Sequence, residues 1–460
     1  KSRGLGDVYK RQVLLIVAVG PGLAQGPQPA GPSEAAGVGT SLAANAPWFK
    51  MQVDTPGDTG QYASVAFNPT NGGTYVSYYD ATNKELRLAR NRDYTVGNCG
   101  PDNELRCRTV DSAGDVGQYS SIAIDPATGT IGIAYYDASN GRLKYAHGKI
   151  CPTCLWAIET VDSPILFPTD RKGRYASLKY HTDGTPHIAY YFENSSGVDA
   201  LKVASPVSSG GNCGSGSWAG KWQCDTVQTG EGVGQYASLA LDGAGNRHIS
   251  YYYGSNGDLW YAKSGSGTNC AGGGAGWLCY PVDAVSHVGQ YTSLYLDSGN
   301  NFHIAYYDAT FDKLKYAMYV GSGGNCGVFG SVQCDTIDSM RAGTHPLGVS
   351  IAKDGTGQPV IAYQAENGSL NTARPLSALG LLPGSGNCGP ENPFSTWYCQ
   401  TIDSSALFPA RRQADFCSIA VSSSGLATIA YYERITASDG NLGVAYQHFQ
   451  TFLPLVVRNF

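Results

Sequence analysis

The chain has 460 residues, among them 60 glycines and 31 tyrosines, and only 15% of it is charged. A formal net charge of -5 offers no basic footprint for nucleic acid and no polybasic membrane anchor. Abundant glycine and aromatic residues with few charges suit many short strands joined by tight turns.

In chain order, residues 1–12 come first, and Asp7-Val8-Tyr9-Lys10-Arg11-Gln12 resembles the translation of a sequencing adapter, which carries no fold information. The apolar run at 13–19 is too short to span a bilayer, and Gly22-Leu23-Ala24 suits cleavage after Ala24. Residues 1–24 are therefore read as adapter plus the end of a signal peptide, and 25–46, rich in Pro, Gly and Ala, as a flexible leader. One folded array is expected over 47–449, followed by a tail at 450–460.

The array repeats itself. Gln61-Tyr62-Ala63-Ser64, Val76-Ser77-Tyr78-Tyr79-Asp80 and Leu86-Arg87-Leu88-Ala89 return as Gln118-Tyr119-Ser120-Ser121, Ile133-Ala134-Tyr135-Tyr136-Asp137 and Leu143-Lys144-Tyr145-Ala146. Further copies start near Tyr175, Tyr236 and Tyr291, with looser ones at Gly348 and Phe416. One serine marks all of them: Ser64, Ser121, Ser177, Ser238, Ser293, Ser350 and Ser418, spaced by 57, 56, 61, 55, 57 and 68 residues. That period, filled only with strand-like segments, predicts an all-β, seven-bladed propeller with four strands per blade. A fourth strand precedes each serine segment, the earliest being Trp48-Phe49-Lys50-Met51-Gln52-Val53, and none follows Leu442-Gly443-Val444-Ala445-Tyr446. The N-terminal strand is thus expected in the last blade, closing the ring and leaving only short protected edges.

Twelve of the 13 cysteines fall into local pairs: Cys99/Cys107, Cys151/Cys154, Cys213/Cys224, Cys270/Cys279, Cys326/Cys334 and Cys388/Cys399. Six blades carry a pair, and the seventh has Lys50 at the position of the second cysteine. Beside a signal peptide, disulfides in a secreted or cell-surface protein are expected. Cys151-Pro152-Thr153-Cys154 alone has metal spacing, but no second close pair accompanies it, so no metal or other cofactor is expected. Cys417 reads as a small core residue.

A site breaks symmetry where folding repeats it. The acids after each Tyr-Tyr pair, Asp80, Asp137, Glu193, Asp308 and Glu433, read first as turn caps and second as a carboxylate ring at the channel mouth. The loops entering the inner strands share that face, and three are irregular: Arg171 and Arg174 in blade three, Arg341 and His345 in blade six, Arg411 and Arg412 in blade seven. Arginine clusters suit carboxylate, sulfate or phosphate ligands. His187, His248 and His303 open second strands about 16 Å from the acids, at about 3.3 Å per residue, which sets them near the opposite face. Trp260 stands where other blades have Arg87, Lys144, Lys202 and Lys315, and is expected to face solvent as a sugar-stacking or interface candidate.

The run from Ser238 to Ala262, Ser-Leu-Ala-Leu-Asp, His-Ile-Ser-Tyr-Tyr and Leu-Trp-Tyr-Ala, resembles secreted bacterial propellers of the broad sialidase-like, BNR-repeat type. The Ser-x-Asp-x-Gly-x-Thr-Trp box of true sialidases is absent. Seven-bladed polysaccharide lyases of the wider group imply a Tyr or His base beside a neutralising Arg, and the separation of the histidines from the arginines runs against that. The tail resembles short C-terminal tails of bacterial surface proteins, a sorting signal. The expectation is a monomeric, non-catalytic module binding a glycan or an extracellular protein, with no membrane span. The alternative is a glycoside hydrolase or polysaccharide lyase acting on an anionic polysaccharide.

Overall fold

The computed structural model describes residues 46–91, 97–149, 156–164, 169–265, 267–341, 348–382, 384–389, 395–404, 412–436 and 439–448, with 412–414 as backbone alone. Seven antiparallel four-stranded sheets form the blades of a propeller. Blade one shows the plan: inner strand Thr59–Phe67, second Thr74–Asp80, third Glu85–Asn91 and outer Leu105–Asp111. The other inner strands are Val116–Ile124, Arg171–Tyr180, Val233–Leu241, Val288–Leu296, Val349–Lys353 and Arg412–Val421.

Ring closure follows the sequence expectation. The outer strand of blade seven is Trp48–Asp54, paired antiparallel with Gly440–Gln447 from Trp48 opposite Gln447 to Asp54 opposite Leu442. Val53, Val65 and Val76 share one core with Ala430, Leu442 and Val444, so residues from both ends of the array are buried together. Lys50 faces Ala445 in the register where Cys107 faces Ala89 and Cys279 faces Ala262. Five of the expected disulfides are formed: Cys99–Cys107, Cys213–Cys224, Cys270–Cys279, Cys326–Cys334 and Cys388–Cys399. In blade two the equivalent outer-strand position is Ile158, opposite Ala146, while Cys151 and Cys154 lie outside the described residues. Cys417 is free and buried, and burial pushes its thiol pKa up.

The recurrent serine now has its reason. Each Oγ accepts the backbone N–H of the residue after the serine of the next blade: Ser64 from Ile122, Ser121 from Leu178, Ser177 from Leu239, Ser238 from Leu294, Ser293 from Ile351 and Ser350 from Ile419. Ser418 completes the circle by accepting from Val65 at 3.1 Å. Without the serine, an inward-facing amide of every inner strand would be buried with no partner.

Two more devices join the blades. The glycine of each Gly-Gln-Tyr adopts positive φ against its neighbour; a Cβ on Gly234 (φ +98°) would lie 2.7 Å from Leu201 Cα. The first tyrosine of each Tyr-Tyr pair is buried, and in five of the six pairs it donates to an acid ending the outer strand of the preceding blade, as Tyr78 to Asp54 and Tyr306 to Asp283, at 2.6 and 2.7 Å. A cation from the third strand joins the same carboxylate: Arg87 on Asp54 (3.1 Å), Lys144 on Asp111, Lys202 on Asp162 (3.3 Å) and Lys315 on Asp283 (2.5 Å). The third-strand cations therefore reach into the seam between blades instead of facing solvent. That corrects the expectation for Trp260 as well. It sits opposite Tyr251 in the register, is half-buried against the neighbouring core and meets Tyr253 edge-on at 5.3 Å. The preceding blade lacks the acid here too, since Tyr251 donates to Gln228. Charge and counter-charge are lost together at this one seam, which leaves neither buried alone.

Candidate functional site

The residue two before each ring serine is aromatic in six blades and Gly348 in blade six. Tyr62, Tyr119, Tyr175, Tyr236, Tyr291 and Phe416 all hold a left-handed backbone, φ 52–56°. In blade one Gln61 faces Tyr79 and Ser64 faces Ser77, so Tyr62 and Ala63 together oppose Tyr78. Such a bulge re-aims a side chain, and here it turns each ring onto those of the neighbouring inner strands. Ring centroids run at 4.4 Å from Phe416 to Tyr62, then 4.6, 4.8, 4.5 and 4.5 Å on to Tyr291. The result is an aromatic collar around the axis, open at Gly348. A left-handed non-glycine residue costs about 1–3 kcal/mol, so six of them are held only by the surrounding sheets.

Arg174 breaks the symmetry of this collar. It occupies the position of Gln61, Gln118, Gln235 and Gln290. Gln61 and Gln118 spend their amides on the entry-loop acids Asp58 and Asp115. Arg174 instead donates from Nη1 to Glu193 Oε2 at 2.6 Å, with its guanidinium 5.6 Å over the ring of Tyr136. Its charge also acts on Tyr62 and Tyr175 of the collar. Arg174 and Glu193 stay partly open, at 34% and 43% side-chain exposure, so the pair is reachable from outside. Burial pushes the phenols of Tyr62, Tyr175 and Tyr236 well above their usual pKa, which keeps them neutral hydrogen-bond donors.

The other acids are placed differently. Asp80 and Asp137 are fully buried, capping their turns through the backbone N–H of Asn83 and Asn140 and pairing with Arg87 and Arg142. Asp308 accepts from the N–H of Thr310 and Phe311, and Glu433 is buried and accepts from Gln52 of the closing strand at 2.8 Å. Only Glu193 of the five is open to solvent; the carboxylate ring is not assembled, because Asp80, Asp137 and Asp308 cap their own turns and Glu433 is taken by the closing strand.

Arg171 stands at the start of the same inner strand and donates to the carbonyls of Thr169 (2.7 Å) and Asp170 (3.1 Å). Arg341 is half-buried at the entry to blade six. Arg412 pairs across the sheet with Arg434, while His345 and Arg411 lie outside the described residues. The histidines are packed into the other ends of their second strands: His187 on Ser205 (2.7 Å), His248 on Tyr261 and His303 on Tyr316 (2.5 Å each). Burial lowers all three pKa values, that of His187 to about 4, so they are neutral. Among the described residues, no group of three or more His, Cys, Asp or Glu is set to hold a metal ion.

Sequence reasoning missed the collar and the seam acids. The left-handed tyrosines carry no local signal, since tyrosine rarely adopts that backbone. The seam acids did carry one, the repeated Val-Asp or Ile-Asp at 53–54, 110–111, 161–162, 282–283, 337–338 and 402–403, broken only by Val227-Gln228.

No family model matches the chain, and no curated protein matches it. The chain aligns with several solved structures at low identity. An oligogalacturonate lyase in complex with manganese aligns with a TM-score of 0.47 and 8% identity over 88% of this chain and 98% of its own. The fucose-specific lectin from Aleuria aurantia gives 0.43 and 15% over 76% and 98%, and the NanB sialidase from Streptococcus pneumoniae 0.40 and 10% over 86% and 70%. Likeness at this level says nothing about activity.

Proposed function

We propose that the protein is an extracellular recognition propeller that binds a glycan bearing an acidic group at the axial mouth, without turning it over. The observation that carries this reading is Arg174, the cation standing where four other blades have glutamine, partly exposed beside neutral collar phenols. A guanidinium with flanking hydroxyl donors suits a carboxylate or sulfate. Two features favour binding without turnover: burial holds the Tyr175 phenol above its usual pKa, and His187, pushed down to about 4, lies at the far end of its second strand from Arg174. The five disulfides fit an oxidising compartment, and no helix among the described residues is long and apolar enough to cross a membrane.

A hydrolase or lyase acting on anionic polysaccharide is the second reading, favoured by Arg174, Tyr136 and Glu193 standing together. A glycan array run beside depolymerisation assays on uronate and sialylated polymers separates the two. Arg174→Gln restores the residue of the neighbouring blades and so preserves the fold; it is expected to abolish binding of acidic glycans. Release of unsaturated uronate or reducing ends by the unaltered protein, lost in Arg174→Gln, would establish the enzyme instead.

A further inference from the structure

The ring closes at the seam between blades seven and one, and that seam is packed unlike the other six. Two equivalent positions serve each seam, one in a third strand and one at the start of the next blade's outer strand. Tyr145 meets Trp222 and Tyr316 meets Trp397, with ring centroids 5.6 and 5.1 Å apart. In three further seams one of the two is aromatic: Trp156 with Leu88, Trp277 with Val203 and Tyr261 with Val332. Trp48 packs on the core of blade six, whose third strand has Thr372. The closing seam alone has no ring at either position, only Val444 and Leu105.

A cavity of about 420 Å³ stands there. Its wall includes Met51, Phe67, Leu105, Leu426 and Tyr446, all half-buried, and its charged groups are one of each sign, Arg90 and Glu104. Blade seven also lacks the cysteine pair, since Lys50 holds the second cysteine's place, so the closing blade has neither the disulfide nor the aromatic filler. What comes next in the chain suits the gap. Pairing holds to the end of Gly440–Gln447 and beyond it, the His448 N–H donating to Pro47 O at 3.4 Å and Gln447 Nε2 to Ala46 O at 3.1 Å. Gln447 and His448 both line the cavity, so the chain leaves the last strand from the cavity wall. The segment that follows, Phe449-Gln450-Thr451-Phe452-Leu453-Pro454-Leu455-Val456-Val457, has no charge and is apolar at all but two positions. Four residues reach at most about 14 Å, enough for Phe452 to turn back over a wall that His448 itself helps to form.

We propose that this C-terminal segment folds back and seats Phe452 in the closing-seam cavity, supplying the ring that Val444 and Leu105 lack. Burying a phenyl against Met51, Phe67 and Leu426 removes apolar surface from water on both sides, and an uncharged segment matches a lining without net charge. The tail then clasps the seam where the two ends of the array meet, in the one blade whose sheet has no disulfide partner for its outer strand. The cavity lies away from the Arg174 mouth, since Phe67 ends its inner strand whereas Arg174 stands near the start of its own. The clasp therefore stands whether or not that mouth binds an acidic glycan.

Photo-cross-linking on the full chain tests this, with p-benzoylphenylalanine placed at Phe452 and the products mapped by mass spectrometry. Cross-links within one chain, to the peptides that carry Met51, Phe67 or Leu105, are expected. Leu105→Trp restores the residue that most blades have and fills the cavity, so it should abolish those links. Ser424→Trp, at an exposed position on the cavity wall, should do the same and covers the case in which Leu105→Trp melts early. The same photoreactive residue at Phe329, which is fully exposed in blade five, should not link to these peptides. The proposal is overturned if the Phe452 probe links only to other parts of the chain, if it links only to a second copy, or if its links to the cavity survive both filling variants.

Discussion

Replacing Ser238 with alanine removes one link of the inter-blade serine ring and almost nothing else. The lost Oγ accepts the Leu294 N–H at 3.0 Å, and Leu294 is 5% exposed, so its amide would have no water to turn to. A typical net hydrogen bond is worth about 0.5–1.5 kcal/mol, and a buried donor left unmade costs about 1–3 kcal/mol. The expected loss is therefore about 1–2 kcal/mol, with little cavity term because only an oxygen is deleted. With an unfolding entropy of about 2.1 cal/mol/K per residue, a propeller of roughly 400 residues would melt about 2 °C lower. Calorimetry should be paired with amide hydrogen exchange, where the Leu294 N–H should lose protection first. The exposed Ser196→Ala serves as a control. If Ser238→Ala melts with that control and Leu294 exchanges at its original rate, the serine ring does not hold the blades together.

Two further predictions rest on buried charge. Trp260→Lys alone should destabilise blade four, because the new ammonium meets Gln228 where other blades offer an aspartate; adding Gln228→Asp should recover stability, with a coupling of about 1–3 kcal/mol in a double-mutant cycle read by urea denaturation. The histidines predict an acid-side slope. Folding holds His187 near pKa 4 and His248 and His303 below their ordinary value. Between about pH 6.5 and the folded pKa values the unfolded chain binds protons that the folded chain does not, so stability falls as pH drops through that window, by at most about 1.4 kcal/mol per pH unit for each histidine. His187→Gln should flatten the slope of urea midpoint against pH, and an unchanged slope would show that His187 titrates normally.

The blade plan was legible because propellers repeat their buried contacts. Ser64 and its six counterparts recur since every inner strand needs the same bond, and Lys50 marks the closing strand since the loop that would carry a partner cysteine belongs to the other end of the chain. What stayed hidden was direction. Arg87 and Lys144 look like surface residues in sequence, yet a carboxylate from the preceding blade draws them into the seam, a contact made across strands far apart in the chain. Asp80 and Glu193 occupy equivalent positions but part company in space. The shorter acid folds back onto its own turn, while the longer one reaches Arg174. Arg174 was visible as an irregularity; its collar was not, because the bulge that turns Tyr175 inward depends on pairing with the second strand.

Everything about faces and seams depends on the ring being shut by its own two ends. A cross-link tests that most directly. Phe49 lies opposite Tyr446 in the closing register, with ring centroids 5.8 Å apart, and directly opposed residues of antiparallel strands have Cα atoms about 4.5–5.5 Å apart, within disulfide reach. The double variant Phe49→Cys with Tyr446→Cys should oxidise to one intramolecular disulfide joining peptides from the two ends, seen by mass spectrometry without reduction, and should melt higher than its reduced form. New thiols that stay free under oxidation, or that pair with any other partner, would contradict the closure.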